Sequence, residues 1–153
     1  MGTVPDLDSY RNRAVLSGAV GNCDGFYKTI KMMGLWEHYK RKMMGSKRLP
    51  CSFEKTLDAF VKDASEMREQ VTWTMWLLDT EKPLPRVCHD WNATRSAMAA
   101  KIDEVKETYD KLIENPSEET AQAFSDSLDR IGLALDCAKS VLWRNRFQME
   151  HTK

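Results

Sequence analysis

The sequence predicts an all-α protein, built as a single-domain antiparallel bundle of four to five helices. Along three long stretches, mostly apolar residues recur in alternating steps of three and four, the spacing that places side chains on one stripe of an α-helix. No segment alternates apolar and polar residues for long enough to indicate a strand. A chain of 153 residues fits one domain, which can bury about 68–70% of its unfolded surface.

The first 50 residues give the weakest helical pattern. Residues 1–8 are expected to form a flexible leader, and the bundle domain is expected to span residues 9–150. Several glycines occur early in the chain, and each weakens a helix by about 1 kcal/mol relative to alanine. They predict a short helix over 9–20 and a turn over 21–25, followed by a second helix over 25–44.

The first long helix is expected over 53–79. Ser52 precedes it and is a residue type that caps helix N-termini, while Glu54 lies in the first turn, where the helix dipole favours negative charge. The apolar stripe of this helix consists of Phe53, Leu57, Phe60, Ala64, Met67, Val71, Thr74 and Leu78. Pro83 and Pro85 then predict a stiff, extended connector.

Two further long helices are expected over 90–114 and 116–149. Their stripes are Trp91, Thr94, Met98, Ile102, Val105, Tyr109 and Leu112 in the first, and Phe124, Leu128, Ile131, Leu135, Ala138, Leu142, Asn145 and Met149 in the second. Asn115 is predicted to cap the last helix, with Pro116 at its first position and Glu118 at the capping-box position. Because few residues separate these helices, they should pack antiparallel.

The cysteines and the N-terminus indicate a cytoplasmic protein. Four cysteines lie far apart, without the CxxC pairs typical of zinc or redox sites. The N-terminal residues include no apolar region, so no signal peptide is predicted. No stretch approaches the 18 apolar residues of a membrane span. Reduced thiols in an intracellular compartment are therefore expected.

Charge is distributed unevenly, although the formal net charge is zero. Residues 1–50 contain nine Lys and Arg against four Asp and Glu, a net +5, whereas residues 51–153 contain fourteen against nineteen, a net −5. The basic part of one copy can pack against the acidic part of another, so the asymmetry favours self-association or docking. A chance distribution over solvated helix faces is the alternative.

No sequence pattern indicates catalysis, a cofactor or a metal site. Di-iron bundles use Glu-x-x-His pairs, but Glu37-His38 and Glu150-His151 are adjacent pairs, whose side chains point about 100° apart on a helix. Cys88-His89-Asp90 is better explained by a buried thiol beside a capping aspartate, because adjacent residues rarely bind one metal. A non-enzymatic protein is expected.

An aromatic arc outside the predicted stripes is the first candidate binding surface. We define it by its four residues, Trp73, Trp76, Trp143 and Phe147. Either these side chains are buried in the core, or they form an exposed patch for a protein partner or for a second copy in a homo-oligomer. The function expected from this surface is macromolecular interaction or self-assembly.

A basic cluster is the second candidate, and it supports a different function. It consists of Lys40, Arg41, Lys42, Lys47 and Arg48. Dense cations beside aromatic residues are typical of phosphate and base contacts, although cations at a helix C-terminus also interact favourably with the helix dipole. The alternative function is therefore nucleic-acid binding by a viral or regulatory protein.

Overall fold

A computed structural model describes residues 7–29, 34–45, 48, 51–80 and 84–151. Within these residues the regular elements are all helical, which confirms the predicted all-α bundle. The helices are α1 (Leu7–Thr29), α2 (Leu35–Tyr39), α3 (Phe53–Thr80), α4 (Leu84–Val87), α5 (Trp91–Glu114) and α6 (Glu118–His151), and a π-helical turn over Lys40–Met44 follows α2 directly. Of the predicted leader, only residues 7 and 8 are described, and both belong to α1.

The four long helices form the bundle. α5 is antiparallel to α6, because the hydroxyl oxygens of Thr108 and Ser127 are 2.9 Å apart while Glu104, earlier on α5, pairs with Arg130, later on α6. α1 and α5 each pack against both α3 and α6, whereas α3 and α6 contact each other more lightly. α3 and α6 therefore occupy opposite corners of the bundle. None of the helices in the described ranges is long and apolar enough to cross a membrane.

The core follows the predicted stripes of the three long helices. Most stripe residues are buried; the exceptions among the described side chains are Phe53, Met67, Thr94 and Tyr109. Met149 lies outside the described side chains. Trp36 joins this core from α2, and its ring meets Phe60 edge to face at 5.0 Å, while Phe60 meets Phe124 at 6.0 Å. Such edge-to-face pairs stabilise a core beyond the area that they bury.

The turn predicted over 21–25 is wrong, because α1 continues through it to Thr29. The buried side chains of α1 form one stripe, consisting of Leu16, Ala19, Val20 and Cys23. Fully burying one leucine or valine contributes about 1.5–3 kcal/mol, which exceeds the cost of about 1 kcal/mol for one glycine. Gly18 and Gly21 lie on the exposed side, so tertiary packing outweighs their low helix propensity.

The helix predicted over 25–44 is not continuous. Gly34 has φ +68° and ψ 43°, a left-handed conformation that a right-handed helix does not contain. α2 begins at the next residue, and its helical path continues through the π-helical turn to Met44. Residues 30–33 lie outside the described part of the chain.

The helix caps are partly as predicted. Ser52 caps α3, since its Oγ accepts a hydrogen bond from the Lys55 N–H at 3.3 Å. The cap of α6 is Ser117 and not Asn115: its Oγ accepts from the Thr120 N–H at 3.2 Å, and the Thr120 Oγ1 accepts from the Ser117 N–H at 3.0 Å. These two residues form the capping box, so α6 begins two positions later than expected.

The connector between α3 and α5 is partly helical, which corrects the extended segment predicted from its prolines. Leu84 is fully buried, and its carbonyl accepts a hydrogen bond from the Cys88 N–H at 2.9 Å. Pro85 is compatible with this turn because the first turn of a helix requires no N–H donor from it. Residues 81–83 are outside the described ranges.

Candidate interaction surfaces

The tryptophans of α3 lie on the side of the helix opposite its core stripe. Trp73 is 58% exposed and Trp76 is 54% exposed, while Val71 and Leu78 are buried. At 3.6 residues per turn, the two tryptophans point roughly 150° away from those core residues. Their rings stack on each other, with centroids 4.9 Å apart and planes inclined by 22°. The pair therefore forms a preorganised apolar plate on the outside of the bundle.

Two carboxylates continue the same outward line of α3. Glu66 and Glu69 are exposed, and with Trp73 and Trp76 they repeat in steps of three, four and three. Neither carboxylate has an ion pair among the residues that the structure describes. We call Glu66, Glu69, Trp73 and Trp76 the α3 seam, and it is acidic as well as aromatic.

A second outward line runs along α6. It consists of Leu133, Asp136, Ser140, Trp143 and Phe147, which repeat in steps of three and four and are all exposed; we call it the α6 seam. Trp143 is 55% exposed and Phe147 is 53% exposed. The Arg146 guanidinium lies over the Trp143 ring at 5.2 Å, and Arg144 beside them is exposed. The aromatic end of this seam is therefore basic.

A groove between α1 and α6 adjoins Trp143. The groove has a volume of about 590 Å³ and is lined by Val20, Asp136, Lys139, Ser140 and Trp143. Binding cavities for small molecules typically measure about 300–1,000 Å³, so the groove can accept a group as large as an aromatic side chain. The Asp136 carboxylate and the Ser140 hydroxyl provide polar atoms beside its apolar walls.

All four residues of the predicted aromatic arc are thus at the surface, but they do not form one arc. Trp73 and Trp76 belong to α3, and Trp143 and Phe147 belong to α6. Because α3 and α6 occupy opposite corners of the bundle, their outward sides face different directions. The predicted single patch is therefore corrected to two separate seams.

The basic cluster divides into a paired lysine and exposed cations. The Lys40 Nζ is 2.8 Å from the Glu118 Oε1 and 2.9 Å from the Glu37 Oε1. The hydrogen bond to Glu118, followed by that to Glu37, raises the pKa of Lys40, and the same contact with Lys40 lowers the pKa of Glu118. Arg41, Lys42 and Arg48 are exposed. Lys47 lies outside the described residues.

Lys40 is one of several contacts that attach α2 to α6. The Asp129 carboxylate accepts the Gly34 N–H at 3.2 Å, and the Ser125 Oγ accepts the Trp36 N–H at 3.1 Å. α6 thereby satisfies backbone donors at the start of α2 that a helix cannot satisfy internally. The Trp36 indole N–H is buried outside hydrogen-bonding geometry, although it lies near enough to the Glu118 carboxylate to help lower its pKa. This part of the basic cluster is structural.

The Cys88 thiol is packed in the core. Its Sγ accepts a hydrogen bond from the Asn145 Nδ2 at 3.3 Å, and burial raises its pKa. Asp90 precedes α5 at the N-cap position but makes no side-chain cap, which corrects the capping role expected of it. In the described part of the chain, no group of three or more His, Cys, Asp and Glu side chains is arranged to hold a metal ion.

Sequence interpretation found the aromatic members of both seams but missed their other members, which are Glu66, Glu69, Leu133, Asp136 and Ser140. The available signal is a second repeat of three and four residues on the outward side of a helix whose core stripe is already assigned. Comparison with protein-family models, with curated proteins and with solved structures finds no match to this chain.

Proposed function

We propose that this chain is a non-enzymatic helical-bundle protein that acts by binding other macromolecules, and in the first place by self-assembly. The observation that carries the proposal is the exposure of its aromatic seams. Trp73, Trp76, Trp143 and Phe147 are each more than half exposed, although large apolar side chains are favoured inside. The centres of protein interfaces are enriched in aromatic residues, and tryptophan is prominent among those that dominate binding energy.

The energetics indicate a weak or moderate association. Burying one large apolar side chain contributes about 1.5–3 kcal/mol, and ring stacking adds about 0.5–1.5 kcal/mol. Association costs about 4–15 kcal/mol in lost translational and rotational freedom. An interface built on these four aromatic side chains therefore requires additional polar contacts, and its affinity should be in the micromolar range or weaker.

Nucleic-acid binding through the basic cluster is the second candidate function. The exposure of Arg41, Lys42 and Arg48 supports it. Against it stands Lys40, whose charge is already neutralised by Glu118 and Glu37. Each neutralised phosphate contributes about −0.9 to the slope of log affinity against log salt, so three cations predict a slope of about −3. We favour assembly because all four aromatic side chains are more than half exposed, whereas the first cation of the basic cluster is already paired within the fold.

A reducing cytoplasmic compartment is part of the same proposal. Cys51, Cys88 and Cys137 are free thiols, and Cys88 is buried. Free thiols persist where cellular reductants act, whereas exported proteins usually oxidise theirs.

Sedimentation over a wide range of protein concentration tests the proposed function. We expect a dimer or larger species, and we expect Trp73→Ala or Trp143→Ala to shift it toward the monomer without loss of helical circular dichroism. Ile113→Ala is the matched control, because Ile113 is 47% exposed but lies on α5, outside both seams.

Two other results would contradict assembly. A chain that stays monomeric at the highest concentration would exclude it. Salt-sensitive binding of RNA or DNA that Arg41→Ala and Lys42→Ala together remove, in an otherwise monomeric protein, would establish the second candidate instead.

A further inference from the structure

We propose that the α3 seam of one copy docks on the α6 seam of a second copy, so that the chain assembles head to tail. This inference rests on the self-assembly proposed above and specifies the two surfaces that meet. A symmetric dimer would instead join two α3 seams or two α6 seams.

The α3 seam carries negative charge that the fold leaves unpaired. Glu66 and Glu69 have no ion pair among the described residues, and both are exposed. The nearest cation in the sequence, Arg68, lies with its guanidinium over the Tyr109 ring of α5 at 5.3 Å, on the inner side of the helix. The exposed Lys62, four residues before Glu66 on the same line, offsets one of these two charges. Two α3 seams placed face to face would therefore bring together two surfaces that are both net negative.

The aromatic end of the α6 seam carries the opposite charge. From residue 136 to residue 149 the chain contains one acidic residue, Asp136, against Lys139, Arg144 and Arg146, a net charge of +2. Arg144 is exposed, and Arg146 is held over the ring of Trp143. Two copies of this surface would repel each other, whereas its contact with Glu66 and Glu69 is attractive. Like-charge contacts disfavour both symmetric pairings, so charge selects the heterologous one.

The shapes of the two seams are also complementary. The stacked rings of Trp73 and Trp76 project from α3 as a plate, and the α6 seam adjoins the groove of about 590 Å³ beside Trp143. An indole ring that enters this groove meets the apolar wall of Val20, and the Asp136 carboxylate can accept its N–H. A tryptophan at an interface usually requires such an acceptor when it becomes buried.

The position of the seams then determines the form of the assembly. The seams lie on opposite corners of the bundle, so a copy that uses its α3 seam still presents a vacant α6 seam. Contacts of this kind continue into a ring if the rotation closes and into a filament if it does not.

Mixing two blocked variants tests the pairing directly. The α3-blocked variant is Trp73→Ala with Trp76→Ala, and the α6-blocked variant is Trp143→Ala with Phe147→Ala. We expect each variant alone to be monomeric by sedimentation. An equimolar mixture should form a one-to-one dimer and no larger species, because each partner contributes its one intact seam.

The outcomes separate this inference from the proposed function. If the wild-type chain assembles but either blocked variant still forms its own dimer, or the mixture stays monomeric, head-to-tail docking is wrong and self-assembly stands. If the wild-type chain is itself monomeric, both fall.

Charge variants provide a second test that keeps every aromatic side chain in place. Glu66→Lys with Glu69→Lys should weaken self-association about tenfold or more, and so should Arg144→Glu, because each creates like charges across the contact. Mixing these two variants should restore assembly at low salt. No restoration in the mixture would overturn the pairing even if the alanine variants fail to fold.

Discussion

At Gly34 the backbone turns through the left-handed region, and a Cβ added there would meet no atom within 4 Å. The position therefore requires glycine for its backbone conformation and not for space. The left-handed conformation costs a residue with a Cβ roughly 1–2 kcal/mol. Gly34 thus precedes α2 in a backbone conformation that glycine adopts without this cost.

Replacing Gly34 with alanine should lower the free energy of unfolding by about 1–2 kcal/mol, as measured by urea denaturation. Gly21→Ala is the matched control, because Gly21 is helical and its added Cβ would also meet nothing within 4 Å. That variant should be as stable as the wild type or more stable by up to about 1 kcal/mol. Equal effects at both positions would contradict the conformational argument.

A second residue-scale prediction concerns the core. Ile131 is fully buried on α6, so Ile131→Ala should lower the free energy of unfolding by about 2–5 kcal/mol, through lost burial and the cavity that remains. Ile113→Ala, at a half-exposed position, should cost less than about 0.5 kcal/mol. A loss that small at Ile131 would mean that the core stripe of α6 is misassigned.

At the scale of elements, α2 is a helix of five residues that depends on α6 for its contacts. Its own N-cap residue provides no side chain, and its backbone donors are satisfied by Asp129 and Ser125. Short helices are marginal without tertiary contacts. The π-helical turn and the exposed cations of the basic cluster follow α2 directly, so their position depends on the same attachment.

The ion pair at the end of α2 predicts a pH dependence with a defined sign. The Lys40 contact lowers the pKa of Glu118 below its ordinary value of 4.5, so its stabilisation is present above that value and is lost as the pH falls through the lower folded pKa. The pKa of Lys40 is raised above 10.5, so its stabilisation is present below that value and is lost as the pH rises through the higher folded pKa.

Urea denaturation across acidic pH tests the contribution of Glu118. In Glu118→Gln the loss of stability below about pH 4.5 should be smaller than in the wild type, because the linked protonation is absent. Glu119→Gln is the control, since Glu119 is exposed and has no ion pair among the described residues. The same acid response in both variants would show that the Lys40 contact contributes nothing measurable.

The elements differ in how far their sequence predicts them. α3, α5 and α6 begin and end within about two residues of expectation, because long stripes with capping residues at their ends leave few alternatives. The sequence divides α1 wrongly because glycine propensity is a local property. The burial of Leu16 and Val20, which outweighs it, depends on tertiary contacts instead. The attachment of α2 depends on partners 89 and 95 residues away, which no local pattern reports.

The candidate interaction surfaces also depend on tertiary packing that no local sequence pattern predicts. A helix that is apolar on two sides is consistent with a buried second side or with an exposed one, so Trp73 and Trp143 could be located on their helices but not assigned to core or surface. Their assignment depends on which neighbours pack beside α3 and α6. That arrangement is a property of the whole bundle.

At the scale of the whole molecule, the charges that matter for the proposed assembly can be assigned to particular helices. In the proposed assembly, the acidic charge is that of Glu66 and Glu69 on α3 and the matching basic charge is on α6, and both lie within the part of the chain whose net charge is −5. The balance of the two halves of the sequence is therefore a poor guide to the interface, because each seam is defined by its own local charges.

Salt provides the corresponding prediction. The Debye length falls from about 10 Å at 0.1 M to about 3 Å at 1 M, so sodium chloride near the upper value should weaken self-association by screening the contact between the seams. Sedimentation equilibrium at the two salt concentrations measures the change, and the Arg144→Glu variant should show a smaller or reversed dependence. Association that strengthens with salt in both proteins would indicate an interface held by apolar contacts alone.

The intrinsic fluorescence of the five tryptophans can also report whether the seams are covered. Trp36 and Trp91 are 0% and 2% exposed, whereas Trp73, Trp76 and Trp143 are each more than half exposed. A collisional quencher in solution should therefore reduce the fluorescence of the three exposed indoles and leave that of the two buried ones unaffected. When a partner covers the seams, the accessible fraction should fall and the emission should move to shorter wavelength, so occupancy can be followed without a label.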